Sequence, residues 1–222
     1  MSYYHLTQFA ILPLGGGGES EEPLAVVSAV NPLRHTPTNI FGAAQRVVCW
    51  SGWFGEEAQK FDRDFRTWTR EGWGALDAWC DGVLPHAAAA GATLCFRPHP
   101  RHVLADAQAC VTFLKRREGQ PVEVLLDAAG MLTAAMMARA DDHLKRAMDA
   151  LAGHPAVAGI VISNVVASKE DPELLESAPV GSGLLSRALM ERMVDAVPEG
   201  KPRILVGGDV EGQAREIEGM GG

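Results

Sequence analysis

A carboxylate and a group of basic side chains each stand directly after an apolar run of this sequence. Asp127 follows the run 122–126, where a buried charge must be paired or liganded, so Asp127 is the strongest single candidate for a site residue. Its alternative role is that of a helix N-cap or turn residue. Arg97 and His99 follow an earlier run, and the prolines at 98 and 100 hold this loop extended and orient both side chains. The guanidinium of Arg97 can pair with Asp127 or hold a phosphate or carboxylate.

Two other apolar runs end in or are followed by neutral polar or aromatic side chains that could bind a polyol. Ser163 and Asn164 end the run 157–163 and can exchange hydrogen bonds with a ligand without proton chemistry. Trp53 stands between glycine and phenylalanine after the run 46–50, and its ring can stack on a sugar face. The alternative for Trp53 is packing under a loop at the same edge.

Two glycine-rich segments could bind an anion. Gly181 and Gly183 precede a helix predicted to begin near Leu184, and glycines before a helix N-terminus can hold a phosphate. The alternative is a turn with Ser182 as the helix N-cap. The run 15–18 is four glycines without G-x-G-x-x-G spacing, which favours a flexible loop.

The elements that must position these residues follow from the pattern of apolar runs. Short β-branched runs alternate with amphipathic segments from residue 92 onward, as in βαβ units on a parallel sheet with right-handed crossovers. We predict strands at 5–14, 24–30, 46–50, 92–96, 122–126, 157–163 and 203–206. Apolar positions at spacings of three and four predict helices around 76–84, 104–114, 144–151 and 185–196.

This succession fits a (β/α) barrel or an open doubly wound sheet, and both place the ligand site at the C-terminal strand ends. With 222 residues the chain is somewhat short for an eight-fold barrel, which usually needs about 250. We predict one domain over residues 1–222, with a loop-rich part at 1–45 where a helix is missing and the barrel is incomplete or irregular.

Composition disfavours several classes of function. The net charge is −8 and no Lys or Arg run stands out, which disfavours nucleic acid as a partner. No apolar stretch is long enough to span a membrane and no signal peptide is evident, so we expect a cytoplasmic protein without a membrane partner. The four cysteines are widely spaced, which predicts buried free thiols.

The segments 91–100, 124–130 and 179–183 together resemble the xylose-isomerase-like TIM barrel family. The resemblance covers residues 46–212, in the order and spacing of strands three to eight of that fold. This family includes sugar and sugar-phosphate isomerases, epimerases and abasic-site nucleases of the endonuclease IV type. The resemblance therefore implies a barrel fold and a pocket at the C-terminal strand ends.

In catalytic members of this family, four side chains hold a divalent metal such as Mn, Mg or Zn. The family's fourth-strand Glu falls on Arg97, and its fifth-strand Asp is matched by Asp127. A His that often follows falls on Gly130, the sixth-strand His falls on residues 163–164, and the final Glu falls near residues 207–209. Because only Asp127 matches clearly and Arg97 would repel a cation, we predict a degenerate metal site and no confident cofactor.

Three functions stay open at this point. One is a sugar or sugar-phosphate isomerase or epimerase, in which Asp127 and His99 act as acid and base while Arg97 and Asn164 position the substrate. Another is a non-catalytic relative that binds a small polar or anionic ligand, or a partner, at the same place. The third and least favoured, an abasic-site endonuclease, would need a His-rich three-metal cluster and a basic face, and the sequence offers neither. A small carbohydrate or phosphate-bearing ligand is the predicted partner, and a homo-oligomer stays open.

Overall fold

The computed structural model describes residues 2–14, 22–56 and 62–220. Within these residues eight strands close into a barrel. In chain order they are β1 (Tyr3–Leu6), β2 (Ala10–Pro13), β3 (Ala25–Val27), β4 (Arg46–Trp50), β5 (Thr93–Arg97), β6 (Val122–Leu126), β7 (Val157–Ile162) and β10 (Arg203–Val206). Two further strands, β8 (Asn164–Ala167) and β9 (Leu175–Ala178), pair with each other as an antiparallel hairpin outside the barrel.

Five α-helices are found in the described part of the chain: α1 (Arg70–Ala90), α2 (Ala107–Arg116), α3 (Ala140–Leu151), α4 (Arg187–Asp195) and α5 (Val210–Glu218). The first four correspond to the predicted helices, and Asp141 and Asp142 lie in the first turn of α3 as their charge favours. Short 3₁₀ turns lie at Phe65–Trp68, Ala129–Met131 and Ala134–Arg139. The predicted (β/α) barrel is confirmed.

Strand β2 departs from the parallel arrangement that we predicted. It pairs antiparallel with both β1 and β3, whereas the other barrel pairs are parallel. The prediction of one strand over 5–14 is wrong because the Thr7 hydroxyl accepts hydrogen bonds from the backbone of Phe9 and Ala10, which turns the chain. So short a connection cannot make a parallel crossover, so β2 returns antiparallel. The four-glycine run at 15–18 lies outside the described residues.

The barrel interior is filled by residues that alternate along the strands with others packed under the helices. Its apolar layer includes Val48, Cys95, Leu125, Val161 and Ile204. Alternate neighbours such as Val47, Phe96 and Leu126 belong to the larger core beneath the helices. Both faces of these strands are therefore apolar, which is why they read as continuous hydrophobic runs.

An ion pair lies at the N-terminal end of this interior. Arg46 and Glu123 stand two residues before Val48 and Leu125, on the inward face of their strands, and their Nε and Oε2 atoms are 2.6 Å apart. The same alternation brings Trp50, Arg97, Asp127 and Ser163 inward at the C-terminal end.

All four cysteines are buried free thiols, as predicted. In the described ranges, we find no helix that combines the length and apolar character needed to cross a membrane.

Candidate ligand site at the barrel mouth

Four inward-facing side chains end the adjacent parallel strands β4 to β7, or follow them directly. They are Trp50, Arg97, Asp127 and Ser163, and we call them the mouth residues. Because the carboxyl ends of parallel strands meet at one end of the barrel, the predicted candidates Arg97, Asp127 and Ser163 converge there.

Arg97 and Asp127 form a partly buried ion pair. The Arg97 Nε and Nη2 atoms lie 2.8 and 2.5 Å from Asp127 Oδ2. The other carboxylate oxygen accepts a 2.9 Å bond from the backbone N–H of Gly130, where a Cβ would come within 2.5 Å of Oδ2. Arg97 also donates to Ser177 Oγ at 3.2 Å, and its guanidinium lies 5.0 Å from the centroid of a Trp50 ring. Both oxygens of Asp127 are thus engaged by protein donors.

Exposure differs sharply between the two partners of this pair. The Asp127 side chain is 1% exposed and the Arg97 side chain 17%. A ligand can therefore reach Arg97 from solvent, whereas Asp127 lies behind it. Asp127 pairs with a charge and also accepts a backbone hydrogen bond from Gly130 in the turn at Ala129–Met131, whose N-cap is Ala128.

His99 and Trp53 lie in a buried group of rings beside the mouth. His99 Nδ1 accepts a 3.1 Å bond from the Arg101 N–H, so this nitrogen carries no proton. The His99 ring meets Trp50 edge-on at 5.6 Å. Trp53 stacks on His102 with ring centroids 5.1 Å apart and is only 4% exposed. For Trp53 the geometry matches the packing alternative rather than a sugar platform.

Ser163 carries an unusual hydroxyl. The residue is completely buried, and its Oγ has no hydrogen-bond partner in the described part of the chain. An unsatisfied buried hydroxyl costs about 1–3 kcal/mol, and native proteins supply a water or ligand to most such groups. Ser163 therefore places a buried hydroxyl without a described partner at the C-terminal end of the barrel interior.

Asn164, the next residue, has a different role from the one predicted. Its Nδ2 donates to the Leu185 carbonyl at 3.0 Å, and its Oδ1 accepts from the backbone N–H groups of Val165 and Leu185 at 2.8 Å each. Gly183 packs so closely that a Cβ there would lie 2.4 Å from the same Oδ1. Asn164 and Gly183 thus fasten β8 to the chain before α4 and position the hairpin instead of a substrate.

The geometry at Gly181 opposes an anion site there. A Cβ on this residue would lie 2.5 Å from a carboxylate oxygen of Glu216, and this negative charge repels a phosphate. Helix α4 begins later than predicted, with Ser186 as its N-cap rather than near Leu184. Ser182 is therefore not the cap either, and its hydroxyl donates to the Pro179 carbonyl.

The hairpin of β8 and β9, which we did not predict, contacts the mouth residue Arg97 through Ser177 of β9, and its connecting loop contacts Arg101 in the loop after β5. We call residues 168–174 the acidic loop. Its Asp171 and Glu173 lie 2.7 and 3.0 Å from Arg101 Nη2, and Glu173 also pairs with Arg63 at 3.0 Å. The acidic residues of this loop were the sequence signal for ion pairs, but sequence alone does not show which basic residues they contact.

The mouth residues do not fit a divalent metal. The one carboxylate among them has both oxygens bonded to protein donors, and a guanidinium stands against it. Across residues 2–14, 22–56 and 62–220, no group of three His, Cys, Asp or Glu side chains is arranged to hold a metal ion. The arrangement instead offers hydrogen-bond donors and a positive edge.

The closed eight-stranded barrel with its mouth at the C-terminal strand ends defines a TIM-barrel-like fold. Among solved structures, the chain is similar to a xylose isomerase-like TIM barrel protein from Mycobacterium smegmatis in complex with magnesium. The two sequences are 14% identical, the match covers 80% of this chain and 61% of that chain, and the TM-score is 0.51. It is also similar to AsbF from Bacillus anthracis, a probable 3-DHS dehydratase involved in petrobactin synthesis, with 10% identity, coverage of 78% and 61%, and a TM-score of 0.51.

The predicted resemblance is confirmed by these structures at the level of the fold. This chain spans 61% of the length of each of the two neighbours. No protein-family model matches the sequence, and no curated protein matches it either.

Proposed function

We propose that this chain is a barrel protein of the sugar isomerase and epimerase kind whose metal site is degenerate and whose mouth binds a small polar or anionic ligand. The observation that carries the proposal is the ion pair of Arg97 with Asp127, at 2.5 to 2.8 Å. It sets a fixed positive charge against the one carboxylate that matches the family's metal ligands. The neighbour from Mycobacterium smegmatis is in complex with magnesium, whereas in this chain Asp127 is paired with a guanidinium.

The mouth offers three kinds of contact to such a ligand. Arg97 presents a partly exposed guanidinium, Trp50 an aromatic ring 5.0 Å from it, and Ser163 a buried hydroxyl without a partner among the described residues. Hydroxyl groups and a cation suit a polyol that carries a phosphate or carboxylate. We therefore propose a carbohydrate or sugar-phosphate ligand.

The geometry favours the non-catalytic alternative over isomerisation. An acid-base pair needs groups that can reach and exchange a proton with the substrate. Asp127 is buried behind Arg97, and His99 Nδ1 accepts a backbone hydrogen bond. The candidate acid and base are therefore held in structural contacts, which supports ligand binding without turnover.

Isothermal titration with D-fructose 6-phosphate and D-fructose tests the proposal, because the two ligands differ only in the phosphate. We expect the phosphate ester to bind at least about tenfold more tightly, since one charge-assisted contact supplies about 1.4 kcal/mol. The double variant Arg97→Gln/Asp127→Asn should lose this preference without leaving a buried charge, while Arg192→Gln on the exposed face of α4 should keep it. Equal affinities for both ligands, or interconversion of ketose and aldose detected by NMR, would contradict the proposal.

A further inference from the structure

Arg101 is a buried cation in the loop that follows β5. It is 7% exposed, and the backbone around it is held by two bonds: its N–H donates to His99 Nδ1, and the Pro100 carbonyl accepts from Trp68 Nε1. In the described part of the chain, the acidic partners of Arg101 are Asp171 and Glu173, both on the acidic loop.

The contacts of Arg101 with the acidic loop leave half of its hydrogen-bonding edge unused. Both carboxylates approach the same atom, Nη2, at 2.7 and 3.0 Å. The adjacent Nε is buried and has no hydrogen-bond partner among the described residues. A planar carboxylate or a phosphate would bind Nε and Nη2 side by side, which is the geometry that a guanidinium prefers. The side chain is therefore better suited to a free oxyanion than to the loop that contacts it.

We propose that Arg101 is an anion subsite of the barrel mouth, and that the acidic loop occupies this subsite through Asp171 and Glu173 until a phosphate or carboxylate group displaces it. The inference rests on the proposed function, because it assigns to the anionic group of the same ligand a second cationic contact in addition to Arg97. It adds that the carboxylates of the acidic loop compete with the ligand for Arg101 and thereby lower the affinity for that ligand.

The distribution of charge and exposure supports this exchange. The side chains of Asp171 and Glu173 are 33% and 58% exposed, whereas that of Arg101 is 8% exposed, so the carboxylates can leave while the guanidinium stays. Their departure would leave Arg101 and Arg63 without these partners. Two positive charges would then face an incoming oxyanion.

The acidic loop is held by few backbone bonds that would have to open. Leu174 pairs with Thr133 across an isolated bridge, and the Glu173 carbonyl accepts a 3.0 Å bond from the Ala134 N–H. The strands of the hairpin have their own pairing from Asn164 to Ala178. Local opening of residues 168–174 therefore leaves the barrel and the hairpin strands intact.

Titration with inorganic phosphate tests the inference. The double variant Asp171→Asn/Glu173→Gln should bind phosphate about tenfold more tightly than the unmodified protein, because the competing charges are gone. Adding Arg101→Gln to this variant should abolish the gain. Asp141→Asn is the matched control, since it removes an exposed carboxylate paired with an arginine of α4 and should leave phosphate affinity unchanged.

Hydrogen exchange on the unmodified protein gives an independent measurement. Saturating phosphate should speed exchange of the Leu174 and Ser168 N–H groups, which bond within the acidic loop, and leave the β8 and β9 pairing protected. Equal phosphate affinity with and without the two carboxylates would contradict competition by the acidic loop but would not contradict the proposed function. Absence of binding of both phosphate and D-fructose 6-phosphate to every variant would overturn both.

Discussion

Removal of Arg97 alone should destabilise the protein more than removal of the whole ion pair. In Arg97→Met, Asp127 stays 1% exposed with only the Gly130 N–H bond to compensate its charge. Leaving a buried charge without its partner costs about 3–5 kcal/mol. Because the Arg97 side chain is 17% exposed, we expect a loss of about 3 kcal/mol in the free energy of unfolding.

The partner substitution and the double variant complete the cycle. Asp127→Asn keeps an acceptor for the Gly130 N–H and leaves a partly exposed Arg97, so we expect a loss of about 1–2 kcal/mol. The double variant Arg97→Met/Asp127→Asn should lose less than the sum of the single variants, by about 2 kcal/mol. Urea unfolding followed by circular dichroism measures each free energy, provided that the m value stays constant.

The exposed pair of Arg192 with Asp141 is the control for this cycle. Its side chains are 56% and 64% exposed, so its coupling energy should be below about 1 kcal/mol. If the effects of the Arg97 and Asp127 substitutions add within about 0.5 kcal/mol, the pair contributes no coupling and the reasoning about the mouth is refuted.

Three further predictions concern other parts of the molecule. Burial raises the pKa of the Cys110 thiol to about 12, so all four cysteines should stay unreactive to Ellman's reagent until the protein unfolds; rapid reaction of the native protein would contradict this burial. Gly183→Ala should lower the free energy of unfolding by about 1–3 kcal/mol, because φ is +143° and a Cβ would lie 2.5 Å from a backbone carbonyl oxygen. Gly74→Ala within α1 should raise it by about 1 kcal/mol, because a Cβ there meets no atom within 4 Å. Thermal or urea unfolding measures both changes. Burial raises the pKa of Asp171, but a backbone N–H bond and Arg101 outweigh it and hold the pKa below its ordinary value. The stabilisation of the acidic loop by Asp171 is therefore complete above about pH 4 and is lost as pH falls through the lowered pKa. Hydrogen-exchange protection factors of residues 168–174 should decrease over the same pH range. Protection factors that do not change with pH would contradict this prediction.

Most barrel strands could be predicted from sequence because they are buried on both faces. The bounds of β4, β6 and β10 agree with the predicted runs, since each strand is mostly apolar and its residues are largely buried. The hairpin of β8 and β9 was missed because its strands are four residues long and half exposed, so they carry little hydrophobic pattern. Helix α5 was also missed, although Asp209 as N-cap followed by Val210, Ala214 and Ile217 was a readable signal.

The candidate site was predictable only where strand direction decides the contacts. The pairing of Arg97 with Asp127 was one of the alternatives, because both residues lie at the C-terminal ends of neighbouring parallel strands. The contacts of Arg101 with Asp171 and Glu173 join residues 70 and 72 positions apart through a loop that no periodicity places. Asn164 was misassigned because a buried amide that fastens two chain segments has the same sequence signature as one that binds a ligand.

A titration with Mn²⁺ followed by electron paramagnetic resonance tests the central claim most directly. We predict that the unmodified protein binds no stoichiometric Mn²⁺ at the mouth, because Arg97 holds the position beside Asp127. Arg97→Glu should gain a site that Arg97→Gln does not, since it places a second carboxylate against Asp127. Stoichiometric Mn²⁺ binding by the unmodified protein, abolished by Asp127→Asn, would contradict the account.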